Sequence, residues 1–240
     1  MNTGTLYLVP NLLGQVDPDT VLPARTLAVA RGLTHWVVET PKPARAFLKT
    51  LGLPRPIADL VITALPAADD AAAHAALLAP LHGGHDLGLA SDAGCPGVAD
   101  PGARLVAAAH AGGLRVVPLV GPSALLLALM ASGMNGQSFA FHGYLPVPPA
   151  ARAAALRRLE DESRTLGRAQ LFIETPYRNA AMIEALPEAL RGDTEVCVAC
   201  DLTLPSETIV RRSASAWRDE QAARYARRPA IFVLQAVGPR

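Results

Sequence analysis

Short apolar runs rich in β-forming residues recur along the chain with helix-period segments between most of them, and this alternation constrains the fold more than any other feature. The runs cover residues 5–10, 35–39, 86–91, 114–119, 139–143, 170–174, 195–200, 208–212 and 230–236. Helical periodicity marks residues 22–31, 44–51, 69–82, 103–111, 124–131, 151–165, 179–190 and 214–227. A parallel strand pair needs a crossover, which a helix supplies, so α/β layers with largely parallel strands are predicted. The rhythm changes past the middle. Only Leu202-Thr203-Leu204-Pro205-Ser206 and its flanks separate runs 195–200 and 208–212, too little for a crossover, so those strands are expected to be antiparallel neighbours. A boundary is placed near Val120-Gly121-Pro122, where a strand ends on Gly-Pro. The predicted architecture is two α/β domains, residues 1–120 with a mainly parallel sheet and residues 121–240 with a mixed sheet.

At 240 residues, half of them apolar, the chain can bury a sizeable core. Lys and Arg number 22 and Asp and Glu 21, so the net charge of +1 gives no general attraction to polyanions. Any nucleic-acid partner must be met by a local patch. Three cysteines, Cys95, Cys197 and Cys200, make no even disulfide framework, and the opening Met1-Asn2-Thr3-Gly4 lacks the plan of a secretion signal, so a reducing cytoplasm is expected. The most apolar stretch, residues 124–130, runs out at Ser132-Gly133, well short of the roughly 20 residues a bilayer span requires, so no membrane segment is expected.

The most informative segment is residues 87–102, Leu-Gly-Leu-Ala-Ser-Asp-Ala-Gly-Cys-Pro-Gly-Val-Ala-Asp-Pro-Gly. A buried strand delivers Asp92 at its carboxyl end, where open α/β sheets bind ligands, and glycines let backbone approach closely. Asp100-Pro101 reads as the N-cap and first residue of the following helix. Asp92 precedes Ala-Gly and has no helix to cap, so a ligand loop is favoured for it over plain turn chemistry. Val116-Val117-Pro118-Leu119-Val120-Gly121-Pro122-Ser123-Ala124 repeats the logic with a hydroxyl at a helix start; alone, Ser123 reads as a cap.

These residues resemble the tetrapyrrole methylase superfamily, especially its branch of bacterial small-subunit ribosomal-RNA ribose methyltransferases. The matching strings are Ser91-Asp92-Ala93-Gly94-x-Pro96-x-Val98-x-Asp100-Pro101-Gly102, then Arg115-Val116-Val117-Pro118-Leu119-x-Gly121-Pro122-Ser123-Ala124, then Phe139-x-Phe141-x-Gly143-Tyr144-Leu145-Pro146. Phe172-Ile173-Glu174-Thr175-Pro176-Tyr177-Arg178, and Asp201-Leu202-Thr203 leading to Glu207-Thr208, are also similar to it. The resemblance implies two α/β domains with S-adenosylmethionine held between them, and a homodimer. By motif position it implies cofactor contacts at Asp92, Ala93, Gly94 and Val98, at Ser123 and Ala124, and at Phe141, Ile173, Glu174, Leu202 and Ala230. Pro10, in the loop after the first strand, would close the floor of the site.

Two departures bear on the acceptor. The Gly-x-Gly-Pro-Gly-Asp loop of the tetrapyrrole enzymes is replaced by Val9-Pro10-Asn11-Leu12-Leu13-Gly14, which argues against a corrin or siroheme precursor. The Glu-Asp-Thr-Arg string of the ribosomal branch is replaced by Val38-Glu39-Thr40-Pro41-Lys42-Pro43-Ala44-Arg45. The expected activity is methyl transfer to a ribose 2′-hydroxyl of RNA, with Glu39, Glu174, Arg178 and Lys42 as the nearest polar groups and no general base assigned. The alternatives are a non-catalytic cofactor- or partner-binding module on a methylase fold, and methylation of a small molecule such as a tetrapyrrole. Arg152, Arg157, Arg158, Arg164 and Arg168 read either as a solvated helix face or as an RNA-facing patch. Cys197 and Cys200, three apart on a strand, point to opposite faces and read as core. His74, His82, His85 and Asp86 lack a convergent third ligand, so no metal is expected.

Overall fold

A computed structural model describes residues 3–66 and 70–237. The chain divides into two compact units, Met1–Ser123 and Ala124–Arg240.

The first unit runs β1 (Thr5–Leu8), α1 (Pro18–Val21), α2 (Ala24–Gly32), β2 (His35–Val38), α3 (Pro41–Thr50), β3 (Val61–Ala64), α4 (Ala71–Ala76), α5 (Ala79–His82), β4 (Leu87–Ala90), α6 (Ala103–Ala111) and β5 (Arg115–Pro118). The strands form one parallel sheet in the order β3-β2-β4-β1-β5. Central β4, Leu-Gly-Leu-Ala, is buried throughout, whereas the edge strand β3 is largely exposed. Trp36, Val38 and Ala90 pack with Leu27, Ala30, Phe47 and Leu48 of α2 and α3 on one face. Leu6, Val37, Leu87 and Leu89 pack with Leu81, Leu105 and Ala109 of α5 and α6 on the other. The connections leaving β2 and β4 therefore diverge to opposite sides between these neighbouring strands, the arrangement that opens a crevice at the carboxyl edge.

Two sequence expectations change here. The edge strand β3 escapes the pattern because Val61-Ile62-Thr63-Ala64 is short and neither alternating nor continuously buried. The helix expected over 69–82 begins at Asp69, outside the described residues, and its described part is two pieces, α4 and α5, parted at Leu77-Leu78. Pro80 sits in the first turn of α5, where its missing amide is harmless; in one continuous helix it would remove an internal hydrogen bond.

The second unit runs α7 (Ala124–Ser132), β6 (Phe139–Tyr144), α8 (Pro149–Leu166), β7 (Ala169–Glu174), α9 (Asn179–Ala189), β8 (Glu195–Cys200), β9 (Thr208–Ser213) and β10 (Ala230–Gln235). Its sheet has the order β6-β7-β10-β8-β9, with β6 and β7 parallel and the other pairs antiparallel. Phe172 stacks on Phe232 at 5.1 Å in a core shared with Leu156, Leu159, Met182 and Ile183 of α8 and α9. Cys197 and Cys200 are both buried, and burial pushes each thiol up to about 11.

Residues 214–227, expected as one helix, instead form two 3-10 turns, Ala214–Asp219 and Ala222–Tyr225. The reason is packing. Trp217 and Tyr225 meet edge to face at 5.7 Å, whereas residues eight apart on an α-helix rise about 12 Å. The chain folds back between them at Glu220, whose carboxylate holds Arg212 at 2.6 Å and Arg224 at 3.2 Å.

Candidate active site

In the first unit, the loops leaving β1, β4 and β5 are knitted together. The amide of Asn11 donates to the Gly94 carbonyl at 2.8 Å, and its side-chain Nδ2 donates to the carbonyls of Ser91 and Asp92 at 2.9 and 3.0 Å. Thr26 Oγ1 donates to the Val120 carbonyl at 2.7 Å, and the Cys95 thiol faces the Pro122 carbonyl at 3.5 Å. Gly121 lies against Pro10 so closely that a Cβ there would stand 2.4 Å from Pro10 Cβ. Pro10, Asp92, Ala93 and Gly94 are thus held in one cluster of strand-end loops, with Ser123 directly after the Gly121-Pro122 turn. Val98, half exposed, sits further along the β4 loop, tied through its amide to the Cys95 carbonyl at 3.2 Å.

Asp92 bridges to the loop after β2. Its Oδ1 accepts from the Thr40 amide at 3.2 Å, and its own amide donates to Glu39 Oε2 at 3.0 Å. Thr40 is the N-cap residue of α3, so the carboxylate also faces the favourable end of that helix dipole. Asn11, Leu12, Gln15, Phe47, Thr50 and Asp92 border an open cleft of about 720 Å³ beside α3.

Asp100 departs from the capping role its sequence position suggests. It is not the cap of α6: that helix starts at Ala103 with Gly102 as the cap residue, at φ 129°. A Cβ at 102 would lie 2.9 Å from Leu89 Cδ2, so only glycine lets the loop turn into the helix so close to β4. Freed from capping, the Asp100 carboxyl is pushed up to about 6, first by burial and then by the charges of Glu39 and Asp92. Sequence reasoning missed this gathering of three carboxylates, although Asp92 and Asp100 on one glycine-rich loop were a visible signal.

In the second unit, α8 crosses from β6 to the parallel β7, and β10 is antiparallel to both β7 and β8. The carboxyl ends of β6, β7 and β8 and the start of β10 therefore share one edge of the sheet. Ala230 pairs with both Glu174 and Cys200, Ile173 pairs with Tyr144, and Leu202 follows two residues beyond β8. Phe141 lies further in, opposite Leu171, and is part-buried. Glu174 has a fully buried side chain; its Oε1 pairs with Arg178 at 2.5 Å and accepts from the Thr175 amide at 2.6 Å, while Oε2 is buried without a hydrogen-bond partner. A second network, unseen from sequence because its members are far apart, joins Asp201 to Arg228 at 2.8 Å and Ser206 to Asp201 at 2.9 Å.

Non-glycine residues with positive φ gather in these loops: Ala99 after β4, Asp201 and Thr203 after β8, and Arg227 before β10. Such conformations cost of order 1–3 kcal/mol each and concentrate where function demands a particular backbone. Other candidates resolve differently. The arginines at 152, 157, 158, 164 and 168 do not form one face: Arg152 is buried, Arg157 and Arg158 are exposed, Arg164 donates to the Val237 carbonyl and Arg168 pairs with Glu162. His85 packs its ring on His35 at 4.9 Å, and among the described residues no three His, Cys, Asp or Glu side chains gather as a metal site.

A family model described as Tetrapyrrole (Corrin/Porphyrin) Methylases matches residues 26–216. The chain belongs to the tetrapyrrole methylase family. Proteins named ribosomal RNA small subunit methyltransferase I are similar to it across most of its length. That of Mesorhizobium japonicum is 36% identical over 98% of this chain and 75% of its own, and that of Pseudomonas aeruginosa is 32% identical over 87% and 70%. In fold, the chain is similar to the methyltransferase CobJ, with a TM-score of 0.61 at 18% identity over 99% of this chain and 100% of that one. It is also similar to uroporphyrin-III-C-methyltransferase from Thermus thermophilus, with a TM-score of 0.58 at 17% identity over 97% and 92%. The resemblance carried by the strand-end strings is borne out, as is the α/β architecture with one parallel and one mixed sheet. This member of the family is a methyltransferase, and the reading as a non-catalytic module is not favoured.

Proposed function

We propose that the methyl donor is S-adenosylmethionine and the acceptor a ribose 2′-hydroxyl of small-subunit ribosomal RNA. The observation that carries this reading is the near-full-length similarity to proteins named ribosomal RNA small subunit methyltransferase I. The residues present fit the donor. Glu39, Asp92 and Asp100 supply negative charge for a sulfonium cation. Ser91 Oγ is a buried polar atom without a partner, suited to a hydroxyl or amino group of a ligand.

When bound, S-adenosylmethionine supplies a methyl group that is already electrophilic. The protein's work is then to hold the acceptor oxygen in line and exclude water. Asp92 performs the positioning on the first unit by fixing the loops after β2 and β4 in one arrangement. A tetrapyrrole acceptor is disfavoured by the loop after β1, where Asn11 is committed to three hydrogen bonds that bind it to the β4 loop. The reading includes a homodimer and a cytoplasmic location, in keeping with three free cysteines and a ribosomal substrate. Among the described residues no helix is long and apolar enough to cross a membrane.

The test is transfer of tritiated methyl from S-adenosylmethionine into small ribosomal subunits from a strain lacking the enzyme. Label in ribosomal RNA, at a nucleotide resistant to alkaline cleavage on its 3′ side, is expected. Label in a porphyrinogen instead would sink the reading.

A further inference from the structure

The edge of the second sheet where β6 and β7 end carries two bare aromatic rings. Tyr144, the last residue of β6, is 60% exposed, and Tyr177, in the 3-10 turn after β7, is 82% exposed. A single exposed ring needs no explanation, but these are two of only four tyrosines in a chain that is 5% aromatic, and both stand at one sheet edge. Their backbone is not loose. Tyr144 pairs with Ile173 beyond a bulge in β6 that follows Phe141, and the turn holding Tyr177 is pinned by Arg178 to Glu174 and by the Arg227 amide donating to the Pro176 carbonyl at 2.8 Å. That last bond holds Arg227 at φ 62°, beside the turn.

The charge at this edge is complementary to a polyanion. Asp201 is neutralised by Arg228 and Glu174 by Arg178, while Glu207 accepts from the Thr203 amide. Arg227 is exposed and has no carboxylate partner among the described residues. Arg152, in the first turn of α8 and so at the same end as the β6 terminus, is only 8% exposed, has a buried Nε without a partner and likewise has no carboxylate partner among the described residues. A guanidinium withdrawn from water without a counter-charge calls for an anion. Rigid exposed rings next to arginines are the equipment for splayed, unpaired bases: rings stack on them and guanidinium groups take the phosphates.

We infer that Tyr144 and Tyr177 form a stacking platform for unpaired nucleotides of the RNA substrate, with Arg227 and Arg152 as its phosphate contacts. The inference rests on the ribosomal-RNA reading above. It names the substrate as a single-stranded or looped segment, since paired bases have no free faces to stack.

The test uses the full-length enzyme with tritiated S-adenosylmethionine and small ribosomal subunits from a strain lacking it. The Tyr144→Ala, Tyr177→Ala double variant is expected to raise KM for subunits about tenfold or more, in line with the usual stacking contribution per base. Calorimetric affinity for S-adenosylmethionine is expected to stay at the wild-type value, and the Tyr144→Phe, Tyr177→Phe pair to restore KM, because stacking needs no hydroxyl. Arg227→Gln is expected to reduce the salt dependence of KM. A wild-type KM in the alanine pair overturns the platform. So does a change of mass in light scattering without a change in KM, which would make the tyrosines an interface between copies. Absence of RNA methylation by the wild-type enzyme overturns the ribosomal reading itself, a result distinct from failure of the platform alone.

Discussion

Asp92 ties together loops that lie more than fifty positions apart in the chain, accepting from Thr40 and donating to Glu39. Replacing it with Leu removes an acceptor from the cap of α3 and places an apolar chain against Glu39. Calorimetric titration is expected to show no S-adenosylmethionine binding by Asp92→Leu, while the folded state survives with a loss of about 0.5–1.5 kcal/mol for the lost, solvent-exposed hydrogen bond. Asp100 makes a pH-dependent prediction. Its carboxyl ionises near 6 in the folded state against an ordinary 3.8, so the folded protein binds this proton more tightly than the unfolded chain does. Its contribution to stability is therefore greatest below about 3.8, falls as pH rises toward about 6, and is constant above that. Asp100→Asn should flatten that part of the stability profile in denaturant titrations. A cationic ligand favours the ionised carboxyl, so affinity for S-adenosylmethionine is expected to rise with pH up to about 6 and then level, with a flatter profile for uncharged-sulfur S-adenosylhomocysteine. Identical profiles for the two ligands would remove Asp100 from the sulfonium's surroundings.

At the scale of elements, the turn from β4 into α6 depends on Gly102. Alanine there meets both a φ of 129° and Leu89 Cδ2 at 2.9 Å, so Gly102→Ala is expected to destabilise by about 2–3 kcal/mol. A lowered midpoint in urea, with weakened ligand binding, would report it. The same turn shows what a sequence conceals. Helix α6 and strand β8 stand where periodicity places them, because each buries one face or both in a regular pattern. Asp100-Pro101 carries a good capping pair, yet the chain passes through one more tight residue before the helix, and no local preference reveals that Leu89 waits beneath it. Residues 214–227 fail for a related reason: helical propensity is overridden when Trp217 and Tyr225 must meet. The strand-end strings holding Asp92, Gly94 and Ser123 were legible because glycine, acid and hydroxyl recur in fixed order. Asn11, whose bonds span some eighty positions, and the Asp201–Arg228 pair were not, because their partners are set by sheet order alone.

For the whole molecule, a net charge of +1 means that neither an RNA nor a second copy is gathered by long-range attraction, so each must be met by a defined surface. Helix α7 is the surface proposed for the second copy. Its sequence, Ala-Leu-Leu-Leu-Ala-Leu-Met-Ala-Ser, has no polar residue before Ser132, although only one side of it packs on β8, β9 and β10. Leu126 and Met130, four residues apart and so on one stripe, are left 52% and 77% exposed. A stripe of large apolar side chains on a helix whose opposite side packs on its own sheet has its match in an identical stripe, since a two-fold axis brings the same patch against itself. Leu126→Lys with Met130→Lys would place like charges across that axis, where each must be desolvated opposite another. Sedimentation equilibrium is expected to give two copies for the wild-type chain and one for the double variant, with circular dichroism unchanged because neither side chain contributes to the core. If the variant stays at two copies, the interface lies on another face; if the wild-type chain is already single, the exposed stripe serves a different partner.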